Sequence, residues 1–234
     1  LIPMHLAIYN LPVRIAQFFG VSLIVWGENS AFEYGGKKKG FERYINSNWI
    51  KNYGATNGTE MKDWISSDLT EKALSPYSMF IDEKKIQTKT SGIFLGYFFK
   101  WDPVEIKKIS QNNGFKYDKK YKKTGFYEFA DIDDNLISIH HWLKWFKFGF
   151  TRTFDNLSIE IRNKRLSRPK AIKIIKKLGN ETPFNDIRKF CQFLKIKKKE
   201  FNEIVEFHRN PKIWRKNDGI WKIKNFLIDD WEWE

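Results

Sequence analysis

Apolar and polar positions along the chain follow two regimes. Up to about residue 114, short apolar runs alternate with Gly, Asn and Pro; beyond it, apolar residues recur at three- and four-residue intervals. The run Val21 to Trp26 predicts a strand buried on both faces. It stops abruptly at Gly27-Glu28-Asn29, with Gly35-Gly36 soon after. In an open α/β sheet, ligands bind at the carboxyl ends of the strands. A carboxylate and a carboxamide there read either as a site or as an ordinary polar loop.

Upstream, Asn10 to Gly20 predicts a helix, with Asn10 as cap, Pro12 in the first turn and Gly20 as the stop. Helix, short loop and buried strand make half of a βαβ unit. Residues 30–90 are irregular and hold Trp49, Tyr53 and Trp64. They read as an insertion over the sheet, either a lid or a packed excursion, with short helices within Met61–Ala73. Ser91 to Phe99 predicts a second buried strand. It ends at Lys100-Trp101-Asp102-Pro103, and a helix from Pro103 closes at Gly114. This places Lys100 and Asp102 at a second strand end, beside a helix N-terminus able to hold an anion.

The second half predicts a helical region. Leu136, Ile139, Leu143 and Phe146 give one stripe, and His140, His141, Lys144 and Lys147 share that helix. Asp131, Asp133 and Asp134 at its start either complement the dipole or hold a metal-bound nucleotide. The histidines are either hydrogen-bonded framework or functional groups. Further stripes follow at Ala171–Leu178, Ile187–Leu194 and Phe201–His208. Cys191 lies on an apolar face and reads as core. The end, Trp231-Glu232-Trp233-Glu234, reads as a docking segment.

Composition adds three constraints. With 234 residues, 41% hydrophobic and 17% aromatic, the chain has a substantial core and no disordered composition. No apolar run reaches membrane-spanning length and no signal peptide is visible; with one cysteine, the expected setting is the cytoplasm, away from membranes. The expected metal set is none. The net charge of +14 is uneven: residues 1–114 carry 14 Lys+Arg against 11 Asp+Glu, giving +3, and residues 115–234 carry 28 against 17, giving +11. A basic half either meets a polyanion or is a solvated surface. Lys outnumbers Arg 33 to 9, which argues against nucleic acid. Four of the nine arginines, Arg152, Arg162, Arg165 and Arg168, nevertheless fall in one short stretch, a density that suits fork recognition of phosphate or carboxylate.

Ordered motifs then carry a resemblance. Asn10-Leu11-Pro12-Val13-Arg14, Trp26-Gly27-Glu28-Asn29 with Phe32-Glu33-Tyr34-Gly35-Gly36, and Trp101-Asp102-Pro103 are joined by Asp133-Asp134-Asn135, His140-His141-Trp142-Leu143-Lys144-Trp145, Lys147-Phe148-Gly149-Phe150 and Ile159-Glu160-Ile161-Arg162-Asn163. Together, over about residues 6–180, they resemble the N-acetyl sugar amidotransferases of O-antigen and flagellin-glycan biosynthesis. The resemblance implies an α/β fold with an adenine-nucleotide α-hydrolase-like (Rossmann-like) parallel sheet at 1–114, lacking its N-terminal part, and a mostly helical region at 115–234.

The implied reaction activates a sugar acetamido group at oxygen with ATP and Mg2+, and ammonia then yields an acetamidino group. Ammonia would come from a partner glutaminase with cyclase-like subunits. The sugar would be a free or nucleotide-linked N-acetyl sugar, in pseudaminic or legionaminic acid type glycans. By the same resemblance, Glu28 and His141 are the candidate catalytic groups. Trp26, Gly27, Asn29, Glu33, Lys100, Asp102, Arg152 and Arg162 are the candidate substrate or nucleotide contacts.

One departure stands out: the family's Ser-Gly-Gly-Lys-Asp-Ser phosphate loop does not occur in these 234 residues. The chain, which opens at Leu1, is therefore read as a C-terminal portion, with the missing portion as a further partner, and is expected not to hydrolyse ATP alone. The alternative is a non-catalytic or tRNA-modifying relative of the same nucleotide fold.

Overall fold

The computed structural model describes residues 2–35, 41–54, 56, 58–78, 90–118 and 124–233. The architecture is mixed α/β, about 52% helix with small sheets. The chain divides into two compact units, Leu1–Trp101 and Asp102–Glu234.

The first unit opens with helix α1 (Ile2–Phe18), longer than the pattern predicted. Asn10 is therefore not a cap. It lies buried inside the helix, and its Nδ2 donates to the carbonyl of Tyr77 at 2.5 Å. Strand β1 (Leu23–Trp26) and strand β2 (Tyr44–Ile45) flank β3 (Ser91–Phe94) in the order β1-β3-β2. β1 runs parallel to β3, in register from Leu23↔Ser91 to Trp26↔Phe94, while β2 is antiparallel to β3. An extended parallel Rossmann-like sheet is thus not evident among the described residues.

Two strand expectations are corrected. β1 is covered on one face only, for Leu23 and Val25 remain 50% and 52% exposed. The second strand ends at Phe94, where the chain turns into a short helix, Leu95–Phe98, so Lys100 does not sit at a strand end.

Between β1 and β3 lie α2 (Ser30–Tyr34), α3 (Ser47–Tyr53), a 3-10 turn at Met61–Trp64, α4 (Glu71–Leu74) and a 3-10 turn at Ser75–Tyr77. The segment Leu95–Phe98 is α5. Residues 36–40 and 79–89 of the predicted insertion, including Gly36 and the following lysines, lie outside the described residues. The core joins Leu6, Ile45, Trp49, Ile50 and Phe94. Trp49 and Phe94 are fully buried with ring centroids 4.5 Å apart; each such side chain contributes about 2–3 kcal/mol of transfer free energy. Gly92 lets the strands close, since a Cβ there would stand 2.1 Å from Cγ2 of Ile45.

The second unit holds α6 (Pro103–Asn112), α7 (Ile137–Phe148), α8 (Arg152–Arg162), α9 (Arg168–Leu178), α10 (Phe184–Leu194) and α11 (Lys198–Phe207). The predicted stop at Gly114 has positive φ, as do Gly149 and Gly179, which follow α7 and α9. The tail is not purely helical, however. Strands β4 (Trp214–Asn217) and β5 (Ile220–Ile223) form a hairpin over Asp218-Gly219, whose φ values of 50° and 82° are those a tight primed turn needs. Cys191 is buried in the core with Trp142, Trp145, Phe146, Phe201 and Trp214. Trp231 and Trp233 also pack on that cluster. No helix among the described residues is long and apolar enough to cross a membrane.

Candidate functional site

The candidate residues fall into two sets. Trp26, Gly27, Glu28, Asn29, Glu33 and Lys100 belong to the first unit; Asp102, His141, Arg152 and Arg162 belong to the second.

In the first unit, Glu28 lies exposed at the carboxyl end of β1. Asn29 is buried as the N-cap of α2, and its Oδ1 accepts from the Ala31 N–H at 2.8 Å. That bond fixes the turn leaving the strand and so aims Glu28 outward. Trp26 stacks at a tilt on Tyr9, with centroids 5.4 Å apart. Burial, and then the Glu28 charge, push the Tyr9 hydroxyl above its ordinary range, which makes Tyr9 a neighbour of the candidate carboxylate. Glu33 sits half-buried on α2, whereas Lys100 is exposed beyond α5.

The second unit brings polar groups together more tightly, along α8. Arg152, Asp155, Asn156 and Glu160 recur at helical spacing on its buried side. Toward the N-terminal end, Arg152 grips Asp131 through Nε at 3.0 Å and Nη2 at 3.4 Å. Lys144 of α7 pairs with Asp155, and Nε2 of His141 stands 4.0 Å from Asp131. Two cations thus face two carboxylates, so the cluster is close to charge balance.

Burial, then the charge of Arg152, push His141 down to about 3. The imidazole is therefore neutral at physiological pH. It is a poor proton acceptor but a competent hydrogen-bonding group, and its Nδ1 has no partner among the described residues.

Just beyond the end of α8, Arg165 forks onto Glu160, through Nε–Oε2 and Nη2–Oε1 at 2.7 Å each, and reaches Oδ2 of Asp102 at 2.6 Å. Tyr127 donates to Glu160. Burial raises the Tyr127 hydroxyl above its ordinary range, and Glu160 adds to the effect. Arg165 chiefly holds the Glu160 carboxyl below its usual range. Burial would raise Asp102, but the hydrogen bond and charge of Arg165 and the N–H of Val104 outweigh it and leave that carboxyl low. Asp102 also caps α6 through Val104 at 3.1 Å.

Between the two ends, Oδ1 of Asn156 accepts the Phe126 N–H at 2.8 Å. Gly125, at φ +72°, allows this approach, because a Cβ there would lie 2.5 Å from that oxygen.

Sequence reasoning named Arg152, His141, Asp102 and Arg165 but not the pairing of Arg165 with Asp102 and Glu160, nor Tyr127. Tyr127, Glu160 and Arg165 form one hydrogen-bonded network, whereas Arg162, singled out in the same arginine-rich stretch as Arg165, lies exposed at the end of α8. The usable signal was the i, i+3, i+4 and i+8 recurrence of polar residues from Arg152 to Glu160 on a helix whose remaining face is apolar. Among the described residues, no group of three His, Cys, Asp or Glu is placed to hold a metal ion.

Comparison with known proteins bears on this unit. Residues 113–227 match a family of lipopolysaccharide biosynthesis proteins. Its description is LPS biosynthesis protein WbpG-like, C-terminal domain. The matched span contains α7, α8 and both polar networks except Asp102. No curated protein matches the chain.

Proposed function

We propose that the chain is a portion of an ATP-dependent amidotransferase that converts a sugar acetamido group into an acetamidino group during surface-glycan biosynthesis. The observation that carries this reading is the match of residues 113–227 to the C-terminal domain of a lipopolysaccharide biosynthesis family. The ordered motifs described above supply the finer chemistry, including a parallel nucleotide-binding sheet of which β1 and β3 would be a part.

The described residues do not fit a complete ATP and Mg2+ site. Buried Arg152 and partly exposed Arg165, the cations nearest to such a role, are already committed to Asp131 and to Asp102 with Glu160. The phosphate loop is absent from the sequence. On this reading phosphate binding falls to residues outside these 234, and ammonia delivery to a partner glutaminase with cyclase-like subunits. Glu28, exposed at a strand end, is the better candidate for proton handling. His141, held neutral, serves as an orienting hydrogen-bond partner within the α8 cluster.

Deleting the gene in the strain that encodes this chain tests the proposal. Mass spectrometry of the surface glycan should show acetamidino sugars replaced by their acetamido precursors, with restoration on complementation. Unchanged glycan would overturn the reading. Steeply salt-dependent tRNA binding by the purified chain would instead favour an RNA-modifying relative, the reading that the +11 charge of residues 115–234 supports.

A further inference from the structure

The tail read from sequence as a docking segment folds back to build a cavity of about 490 Å³ in the second unit. This lies in the range of small-molecule sites, roughly 300–1,000 Å³. Five tryptophans line it: Trp145, Trp214, Trp221, Trp231 and Trp233. Trp145 and Trp214 are core residues, but the other three are only partly buried and present ring surface at the rim. The rings meet at varied angles: Trp233 lies nearly parallel to Trp145 at 24° and edge-on to Trp214 at 85°. Trp214 is fixed by its Nε1–H, which donates to the Phe146 carbonyl at 2.9 Å.

The polar groups around these rings narrow the ligand class. The Arg209 guanidinium lies 4.5–4.9 Å from the ring centroids of Phe146, Trp214 and Trp221, and its Nε donates to Glu206 at 2.9 Å. A cation thus already occupies these aromatic faces, leaving little for a quaternary ammonium to gain there. Both basic residues of the cavity are paired, Arg209 with Glu206 and Lys176 with Asp230, so an anion would find no uncompensated charge. What remains is aromatic surface bordered by donors and acceptors in mixed order. A pyranose ring matches it: its C–H face carries slight positive charge toward the negative face of an indole, and its hydroxyls both donate and accept.

We infer that this cavity is a binding site for an uncharged pyranose sugar. Its position among lipopolysaccharide-biosynthesis residues is consistent with that class, although Trp231 and Trp233 lie beyond the matched span. The lining shares no residue with the α8 cluster, and sugar binding to it requires neither ATP nor ammonia.

The test is a titration of the full 234-residue chain, 15N-labelled at its indoles, with N-acetylglucosamine, N-acetylgalactosamine and glucose; choline and AMP are the comparison ligands. Saturable shifts of the Trp221, Trp231 and Trp233 N–H signals with at least one sugar are expected, at dissociation constants in the region of about 1 mM. Trp233→Leu and Trp221→Leu should each weaken that binding about tenfold. Should either variant fold poorly, the wild-type shift map alone decides the site. Absence of saturation with all three sugars, shifts confined to Trp26, Trp49, Trp64, Trp101 or Trp142, or preferential binding of choline or AMP would each overturn the inference. Because the readout is binding without ATP, it fails or succeeds independently of the amidotransferase reading.

Discussion

Replacing Arg165 with Met removes the cation that two buried carboxylates share. The Asp102 and Glu160 side chains are each only 8% exposed, and Arg165 gives them three charge-assisted hydrogen bonds at 2.6–2.7 Å. Breaking a buried pair by removing one partner costs roughly 3–5 kcal/mol. The Arg165 side chain is 30% exposed, so solvent offsets part of this, and about 3 kcal/mol is expected. That corresponds to a fall in Tm of about 10 °C.

The pH dependence gives a sharper check. In the wild type both carboxyls are held below their unfolded values, so their stabilisation is present above about pH 4 and is lost on further acidification. In Arg165→Met, two desolvated carboxylates face each other without a cation and both rise above the unfolded value. Folding then takes up protons, so the variant gains stability as pH falls toward about 5. Urea unfolding at about pH 7.5 and about pH 5 should show the gap between the two proteins narrowing. A gap below about 1 kcal/mol at the higher pH, or one that widens on acidification, would refute the reasoning. Arg165→Lys keeps the charge without the fork and should fall between them.

Three further outcomes follow from the same geometry. The His141 imidazole, pushed down to about 3 by burial and Arg152, should keep its neutral NMR signature from about pH 8 to about pH 4.5. Its contribution to stability is present above about 6.5 and declines as pH falls toward 3, because the unfolded chain binds the proton first. Gly125→Ala, at φ +72° with its Cβ directed at Asn156, should cost about 2–3 kcal/mol by thermal unfolding and release the Phe126 N–H from its partner. Gly92→Ala should cost about 1–3 kcal/mol through collision with Cγ2 of Ile45; in the Ile45→Ala background the added penalty should largely vanish, which a double-mutant cycle measures.

The parts of the fold legible in sequence were those with local chemistry at their ends. Asp102-Pro103 opens α6 and Gly114, at positive φ, follows its end, because capping and left-handed backbone act within a few residues. Asn10 misled because Asn two residues before Pro also suits a helix start. Its actual partner is the carbonyl of Tyr77, 67 positions away. The run Val21–Trp26 gave its strand but not its exposure, since apolar continuity is the same whether one face or two are covered. The β4–β5 hairpin carries a single short signal, Asp218-Gly219, directly after a long series of helical stripes. In the candidate site, the arginine-dense stretch begins on α8 with Arg152 and Arg162. The fork from Arg165 to Asp102, however, spans 63 positions, and no local pattern encodes it.

The half-covered strand β1 has a practical side. Its neighbour on the sheet is β3 alone among the described residues, and Leu23, Val25, Phe18, Phe19 and Val21 all stand in solvent. A bare apolar rim on a strand is adhesive, because it offers ladder hydrogen bonds and greasy area together. Purified alone, the chain should therefore cluster at rising concentration, and light scattering will report it. Leu23→Lys, a gatekeeping charge on that rim, should keep it dispersed without touching either polar network.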